Sequence, residues 1–316
     1  MEKFSTFARS VVGESPILRG VYCQDSSLAV NHKDFCFAAV ADGHGSPCYL
    51  RTDRGSRFAV ICALECVSEF LEALREAEEM LEDEKQRLQL FTQLWRSIVS
   101  RWHEMTEQDY IGHPFTAEEL ERIPQRYAFY RDRYLDGNYI DAYGTTLVFA
   151  VMTREFAFCG QIGDGSCVAI DCDGGASEPV PEDPRCHENV TTSMCQDDAV
   201  LSGRFTYFSA DALPAAIFLG TDGIENSYWS KQQLYGFYQG LALTFSEYEL
   251  AEADKQLHDF LPEMTRKGSG DDVSCAGIFC RPALEAISDT LMDAVRSVED
   301  DETDETPRSK NIPDEE

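Results

Sequence analysis

Short apolar runs that end at, or begin from, an acidic residue are the most regular feature of this sequence. Residues 35–41 form one such run, and the glycines after Asp42 let the backbone turn. Apolar runs of this length, bounded by turn residues, are typical of buried strands. The acids at the ends of these predicted strands are Asp42, Asp164, Asp222 and Asp271. Asp25, near the start of the chain, is a fifth acidic point that this pattern allows to converge with them.

Apolar residues spaced three and four positions apart predict helices in other parts of the chain. Residues 56–111 contain neither Gly nor Pro, and the charged run 82–87 separates two amphipathic patterns within them. We therefore predict two long helices that pack on a sheet. Residues 112–139 predict an irregular or partly helical insertion, and residues 230–260 predict further helix.

The two ends of the chain give a simple division. Residues 1–34 predict an opening pair of strands, the second at 21–25. A β-rich region is predicted to begin with residues 143–152 and to run through a hairpin at Asp164. We expect one domain over 1–282, a C-terminal helix over 283–298 and an acidic tail over 299–316. The tail has nine acids and two bases, so it is expected to be disordered.

Charge and composition limit the classes of function. The chain has 316 residues, 43% of them hydrophobic, and Lys+Arg 27 against Asp+Glu 57 give a net charge of −30. Such a charge argues against a nucleic-acid partner, because proteins that bind phosphate backbones present basic faces. Neither a secretory signal nor an apolar run of transmembrane length is evident, so we expect a cytoplasmic protein without a membrane partner.

The twelve cysteines do not predict a particular chemistry. Most lie inside apolar runs, and no two of them form a C-x-x-C pair. Free cysteine behaves as a small buried hydrophobe, so reduced core thiols are expected rather than disulfides or a zinc site.

The acids at strand ends suggest a site for hard divalent cations. Carboxylate and carbonyl oxygens select Mg²⁺ or Mn²⁺, and no His or Cys cluster accompanies them. A pair of such ions suits the hydrolysis of phosphate esters. The alternative is that Asp-Gly is a common tight-turn signal, and we accept that interpretation for Asp136-Gly137 and Asp173-Gly174.

Six ordered motifs carry a family resemblance. They are Cys23-Gln-Asp25, Val40-Ala-Asp42-Gly43-His44-Gly45, Tyr143-Gly-Thr-Thr, Gly163-Asp164-Gly165, Thr221-Asp222-Gly223 and Gly270-Asp271-Asp272-Val273-Ser274. Together they resemble the metal-dependent protein phosphatases of the PPM/PP2C family, most of all its bacterial branch. The resemblance covers roughly residues 8–280.

The resemblance implies an α+β fold, a four-layer α-β-β-α sandwich of two antiparallel sheets flanked by helices. It also implies a site for two Mn²⁺ or Mg²⁺ ions and a metal-bridging water as nucleophile. Asp42 would bridge the ions, Asp25 and the Gly43 carbonyl would complete one site, and Asp222 and Asp271 would hold the other. Asp164 matches a ligand of a third ion, but Asn226 replaces the second acid of that site.

His44 and an arginine complete the implied chemistry. His44 matches the position that protonates the leaving alkoxide, and its alternative is a solvent-exposed loop residue. Many members place a phosphate-binding Arg where this chain has Gly20, with Arg19 beside it. Arg19 is therefore the candidate ligand for the substrate phosphate, and Arg51 or Arg54 are substitutes.

The leading hypothesis is a metal-dependent phosphatase that hydrolyses phosphoserine and phosphothreonine in proteins. Its partners would be a phosphoprotein substrate and a cognate serine/threonine kinase. The alternatives are a catalytically silent module of the same fold, used for binding or regulation, and a phosphoesterase for small molecules.

Overall fold

The computed structural model describes residues 4–75, 78–187 and 190–304, and for residues 299–304 it describes the backbone only. Its strands are β1 (Ser5–Val11), β2 (Ser26–Asn31), β3 (Cys36–Ala41), β4 (Leu147–Met152), β5 (Phe156–Ile162), β6 (Ser166–Ile170), β7 (Ala176–Ser177), β8 (Arg204–Ser209), β9 (Ala216–Gly220) and β10 (Val273–Phe279). Its helices are α1 (Glu14–Arg19), α2 (Thr52–Leu74), α3 (Glu84–Gly112), α4 (Ala117–Glu121), α5 (Ala128–Leu135), α6 (Ala199–Ser202), α7 (Asp222–Glu225), α8 (Lys231–Glu247), α9 (Leu250–Lys267), α10 (Arg281–Ala286) and α11 (Ser288–Asp304).

The strands form two five-stranded antiparallel sheets. One sheet has the order β1-β10-β9-β6-β7, and the other has the order β2-β3-β4-β5-β8. Side chains alternate between the two faces of a strand, and β3 shows the consequence. Cys36, Ala38 and Val40 contact the facing sheet, whereas Phe37 and Ala39 belong to the core under the helices.

Helices cover the outer face of each sheet. The buried residues of α2 and α3 share a core with β3, β4 and β5, and those of α8, α9 and α11 share one with β9 and β10. The layers are therefore helix, sheet, sheet and helix, so the predicted four-layer α+β sandwich is confirmed.

The two long helices predicted in residues 56–111 are also confirmed. The fully buried rings of Trp95 and Trp102 explain the aromatic stripe of α3. Their indole N–H groups donate to the carbonyls of Ala199 and Gly55, at 2.8 and 2.9 Å. The insertion predicted over 112–139 is partly helical through α4 and α5, although Gly112 itself is the last residue of α3.

The prediction for the start of the chain is wrong. β1 pairs with β10 and β2 pairs with β3, so the two strands lie in different sheets, and α1 separates them. Residues 21–25 are not a strand. The carboxylate of Asp272 accepts the N–H groups of Gly13 and Gln24 at 2.8 and 2.7 Å, which closes this segment into a loop.

The expected hairpin at Asp164 is a crossing between the sheets. β5 pairs with β4 and β8, whereas β6 pairs with β9 and β7. Gly163 has a φ of +96°, a conformation that glycine adopts readily, and the chain changes sheet there.

The C-terminal helix α11 runs through the first six residues of the segment predicted as a tail, and residues 305–316 lie outside those described. In the ranges given above, no helix is long and apolar enough to cross a membrane. All twelve cysteines lie in these ranges as free thiols, and most are buried.

Candidate metal centre

Asp42 stands at the end of β3 and is held through its backbone. Its carbonyl accepts hydrogen bonds from the Thr146 N–H at 2.8 Å and from the Thr145 hydroxyl at 2.7 Å. Its own N–H donates to Thr146 Oγ1 at 3.0 Å. A Cβ on Gly43 would meet the Gln24 carbonyl at 2.5 Å, so only glycine fits the close approach of this turn to the Asp25 segment. The two threonines of the Tyr143-Gly-Thr-Thr motif thus fix the position of Asp42.

Asp25 is buried and held by a threonine from another strand end. Thr221 Oγ1 donates to Asp25 Oδ2 at 2.7 Å and accepts the Ser274 N–H at 2.9 Å. One hydroxyl therefore joins the start of the chain to the ends of β9 and β10.

Asp222 is the first residue of α7 and hydrogen-bonds through its side chain to Asp42. Asn226, the residue that replaces the second acid of a third ion site, donates from Nδ2 to Asp222 Oδ2 at 3.1 Å. The structure thus brings together Asp25, Asp42 and Asp222 from three distant parts of the chain.

Burial and mutual repulsion make these carboxylates hard to ionise. Burial raises the pKa of Asp42, and the charges of Asp222 and Asp25 raise it further. Burial likewise raises the pKa of Asp25, although the Thr221 hydrogen bond opposes the shift. Burial is the main cause that raises the pKa of Asp222 to about 6, and the hydrogen bond to Asp42 lowers this pKa in part. Asp42 and Asp222 are therefore both harder to ionise in the folded chain than in the unfolded chain.

The donor set fits hard divalent cations. Within the ranges that the structure describes, Asp25, Asp42, Asp222 and Asp271 form no ion pair with Lys or Arg. Buried carboxylates are normally paired with cationic side chains or coordinate a metal. Across the same ranges, no group of three or more His, Cys, Asp or Glu side chains is already arranged to hold a metal ion.

Asp271 and Asp272 have different roles. Asp271 is exposed, and its Oδ1 accepts the N–H of Asp272 at 2.9 Å. Asp272 is buried and holds the N–H groups of Gly13 and Gln24. Burial raises the pKa of Asp272, while these two hydrogen bonds and the positive charge of Arg19 oppose the shift. Asp271 is the candidate ligand, and Asp272 positions the segment that ends at Asp25.

His44 is half-buried and follows Asp42 by two residues. Its Nε2 lies 2.8 Å from Ser193 Oγ, and its ring packs edge-on against Tyr49 with the centroids 4.8 Å apart. Burial lowers the pKa of His44 to about 4, so the imidazole is neutral at pH 7 in this state. The alternative of a solvent-exposed loop histidine is therefore wrong.

The three candidate arginines have different surroundings. Arg51 is buried between Glu119, Asp109 and Tyr143, with its Nε 3.2 Å from Glu119 Oε1. Arg54 Nη1 binds Asp109 at 2.9 Å. Arg51 therefore fastens residues 113–139 to α3 and to the start of α2, whereas Arg54 joins α2 to α3.

Arg19 is exposed, and its side chain donates to the Ser15 carbonyl at 3.3 Å. Its charge acts on Asp272, next to the candidate ligand Asp271. Of the three arginines, Arg19 is the one without an ion pair to a carboxylate in the part of the chain that the structure describes.

Asp164 lies close enough to Asp222 and Glu225 to raise the pKa of both. Burial raises the pKa of Asp164 itself. Glu225 forms an ion pair with Lys231 at 3.2 Å, and Lys231 also binds Glu178. An ammonium group thus neutralises part of the region in which a third ion would be expected.

Ser193, Thr221 and Asp272 are the positioning residues that the sequence did not reveal. Thr221 belongs to the motif Thr221-Asp222-Gly223, and Asp272 directly follows the candidate ligand Asp271. The motifs therefore marked both positions, although they did not indicate what the side chains do. Ser193 lies in an irregular segment without any pattern.

Comparison with known proteins agrees with this architecture. A bacterial serine phosphatase structure aligns with a TM-score of 0.52 at 14% identity, over 88% of this chain and 98% of that chain. The serine/threonine phosphatase Stp1 from Staphylococcus aureus aligns with a TM-score of 0.51 at 13% identity, over 87% and 94%. The serine/threonine phosphatase from S. agalactiae gives 0.50 at 14% identity, over 87% and 99%. These likenesses show the fold.

No curated protein matches the sequence at a significant level. The family model for protein phosphatase 2C matches residues 12–262, which is most of the chain. The chain therefore belongs to the protein phosphatase 2C family.

Proposed function

We propose that this chain is a phosphatase that hydrolyses phosphoserine and phosphothreonine in proteins and depends on Mn²⁺ or Mg²⁺. The observation that carries the proposal is the meeting of Asp25, Asp42 and Asp222. They come from three distant strand ends, and none of them has a cationic partner in the described part of the chain. Membership of the phosphatase family supports the same chemistry.

Five groups would hold two ions. They are the carboxylates of Asp25, Asp42, Asp222 and Asp271 and the carbonyl of Gly43. When bound, the ions would supply Lewis acidity toward the phosphoryl group and an activated water. A third ion is less favoured here, because Asn226 is neutral and Lys231 already pairs with Glu225.

The chain's own residues would orient the substrate and handle the proton. Arg19 would bind the phosphate through its guanidinium, which suits a phosphate dianion. A dianion bound beside His44 would favour the charged imidazole and so offset the effect of burial on its pKa. The ring could then donate a proton to the leaving serine or threonine oxygen, with Ser193 Oγ holding the orientation of Nε2.

The partners of such an enzyme would be phosphoproteins and the kinase that phosphorylates them. A cytoplasmic location is part of this proposal.

A catalytically silent regulatory module is the second candidate. Two observations favour it: Asp42 and Asp222 share a hydrogen bond, and Asn226 also binds Asp222. Both contacts occupy oxygens that a bound ion would need.

Steady-state turnover of a substrate panel separates these functions. We expect the purified full-length chain, in millimolar Mn²⁺, to hydrolyse phosphothreonine and phosphoserine peptides faster than phosphorylated metabolites. Asp25→Ala should abolish turnover, whereas Asp173→Ala, the same change on an exposed turn, should leave it intact. Absence of turnover on the whole panel would favour the silent module, and turnover of metabolites alone would indicate a small-molecule enzyme.

A further inference from the structure

Four exposed apolar side chains lie on the segment that leads into the candidate metal centre. Leu18 and Tyr22 are 81% and 87% exposed, and Ile17 and Val21 are 58% and 39% exposed. We call these four residues the apolar patch. Clustered exposed apolar side chains mark interaction sites more often than isolated ones do.

The segment that carries the patch is fixed to the site. The carboxylate of Asp272 accepts the Gly13 N–H on one oxygen and the Gln24 N–H on the other. The Ser15 N–H donates to the Gly270 carbonyl at 2.8 Å, and Pro16 is the buried residue of α1. The patch is therefore presented on a loop whose two ends meet at one residue, next to Asp271 and Asp25.

The patch is within reach of a bound substrate chain. The six residues of α1 rise about 9 Å at 1.5 Å per residue, so the patch cannot lie far from Asp272. An extended peptide covers about 10 Å in three residues. Residues within about three positions of a phosphorylated side chain at the metal centre can therefore contact the patch.

Charge determines which peptides would be accepted. Arg19 lies between Leu18 and Val21 in the sequence, while the chain as a whole has a net charge of −30. The phosphate has a cationic partner in Arg19, but an acidic flanking sequence would be repelled by the net negative charge of the chain. Apolar flanking side chains avoid that repulsion and gain contact area.

We propose that the apolar patch docks the substrate protein, selecting phosphorylated segments with apolar side chains within about three residues of the phosphoresidue. This inference rests on the proposed phosphatase activity and adds a substrate class to it. It places substrate recognition on residues 17–22, whose outward side chains the fold leaves uncovered.

The test combines enzyme variants with matched peptides. The enzymes are the full-length wild type, Leu18→Ser, Tyr22→Ser and Leu88→Ser; Leu88 is 65% exposed on α3 and serves as the matched control. The peptides share one phosphothreonine, flanked either by Leu and Val or by Ser and Gly. The ratio of kcat/KM between the two peptides is measured for each enzyme, because this ratio isolates the coupling between patch and flank.

We expect the wild type to prefer the apolar peptide by about tenfold, which corresponds to about 1.4 kcal/mol. Leu18→Ser and Tyr22→Ser should each reduce the preference several-fold, and Leu88→Ser should retain it. Equal ratios in all four enzymes, with both peptides hydrolysed, would overturn the docking proposal alone. If no enzyme hydrolysed either peptide, the proposed function would fail first.

Two other occupants of the patch would also overturn the proposal. A concentration-dependent dimer in sedimentation that Leu18→Ser abolishes would assign the patch to a second copy of the chain. An apolar preference that appears only after residues 305–316 are deleted would assign it to the chain's own C-terminus.

Discussion

Replacing Asp222 by Asn should make the protein more stable than the wild type without metal and less stable than the wild type in Mn²⁺. In the metal-free protein, the pKa of Asp222 is raised from its ordinary value of 3.8 to about 6. A raised pKa means that the folded state holds the proton more tightly than the unfolded state does. The stability that this provides is complete below about pH 4 and is lost as the pH rises through about 6.

The size of the effect follows from the shift. About two pKa units at 1.36 kcal/mol each give about 3 kcal/mol, the cost of keeping this carboxylate ionised in the fold at pH 7.5. Asn carries no charge and can still hydrogen-bond to Asp42. In EDTA at pH 7.5, Asp222→Asn should therefore be more stable than the wild type by up to about 3 kcal/mol, and the difference should vanish near pH 4.

Urea unfolding at several pH values, with EDTA or with Mn²⁺, measures these differences. Asp173→Asn, on an exposed turn, is the matched control and should follow the wild type throughout. In Mn²⁺ the order should reverse, because the wild type gains binding free energy that the Asn variant loses. Identical pH dependence of the wild type and Asp222→Asn in EDTA would refute the account of the buried carboxylate cluster.

Two further predictions concern packing and the histidine. Gly55→Ala should destabilise the fold by about 1–3 kcal/mol or more in urea unfolding, since its Cβ would meet the Tyr143 carbonyl at 1.8 Å. Gly112→Ala, with open space around its Cβ, should be neutral or stabilising by up to about 1 kcal/mol, and equal effects would contradict this reasoning. Ser193→Ala removes the hydroxyl 2.8 Å from His44 Nε2 and should lower kcat on a phosphothreonine peptide about tenfold with little change in KM. An unchanged kcat would show that His44 needs no support there.

Local patterns predicted the framework well for a physical reason. Burial imposes the alternation of side chains along strands and their spacing along helices. The sequence therefore predicted the strands that end at Asp42 and Asp222 and the helix that contains Trp95 and Trp102. The meeting of the acids followed because strand ends converge at one edge of a sandwich.

Long-range hydrogen bonds account for what the sequence did not reveal. The apolar and aromatic residues 21–23 resemble a strand, but the carboxylate that bends this segment into a loop is Asp272, 248 positions beyond Gln24. His44 lies between glycines, which favours an exposed turn, yet Ser193, 149 positions away, holds it half-buried. No local pattern records such partners.

The most direct test of the central claim is hydrolysis of a phosphothreonine peptide with and without millimolar Mn²⁺. Asp42→Asn removes the carboxylate that would bridge two ions, and Asp173→Asn is the matched change on an exposed turn. We expect Mn²⁺-dependent turnover in the wild type and in Asp173→Asn, and none in Asp42→Asn. Turnover by Asp42→Asn at the wild-type rate, or turnover by the wild type in EDTA, would contradict the central claim.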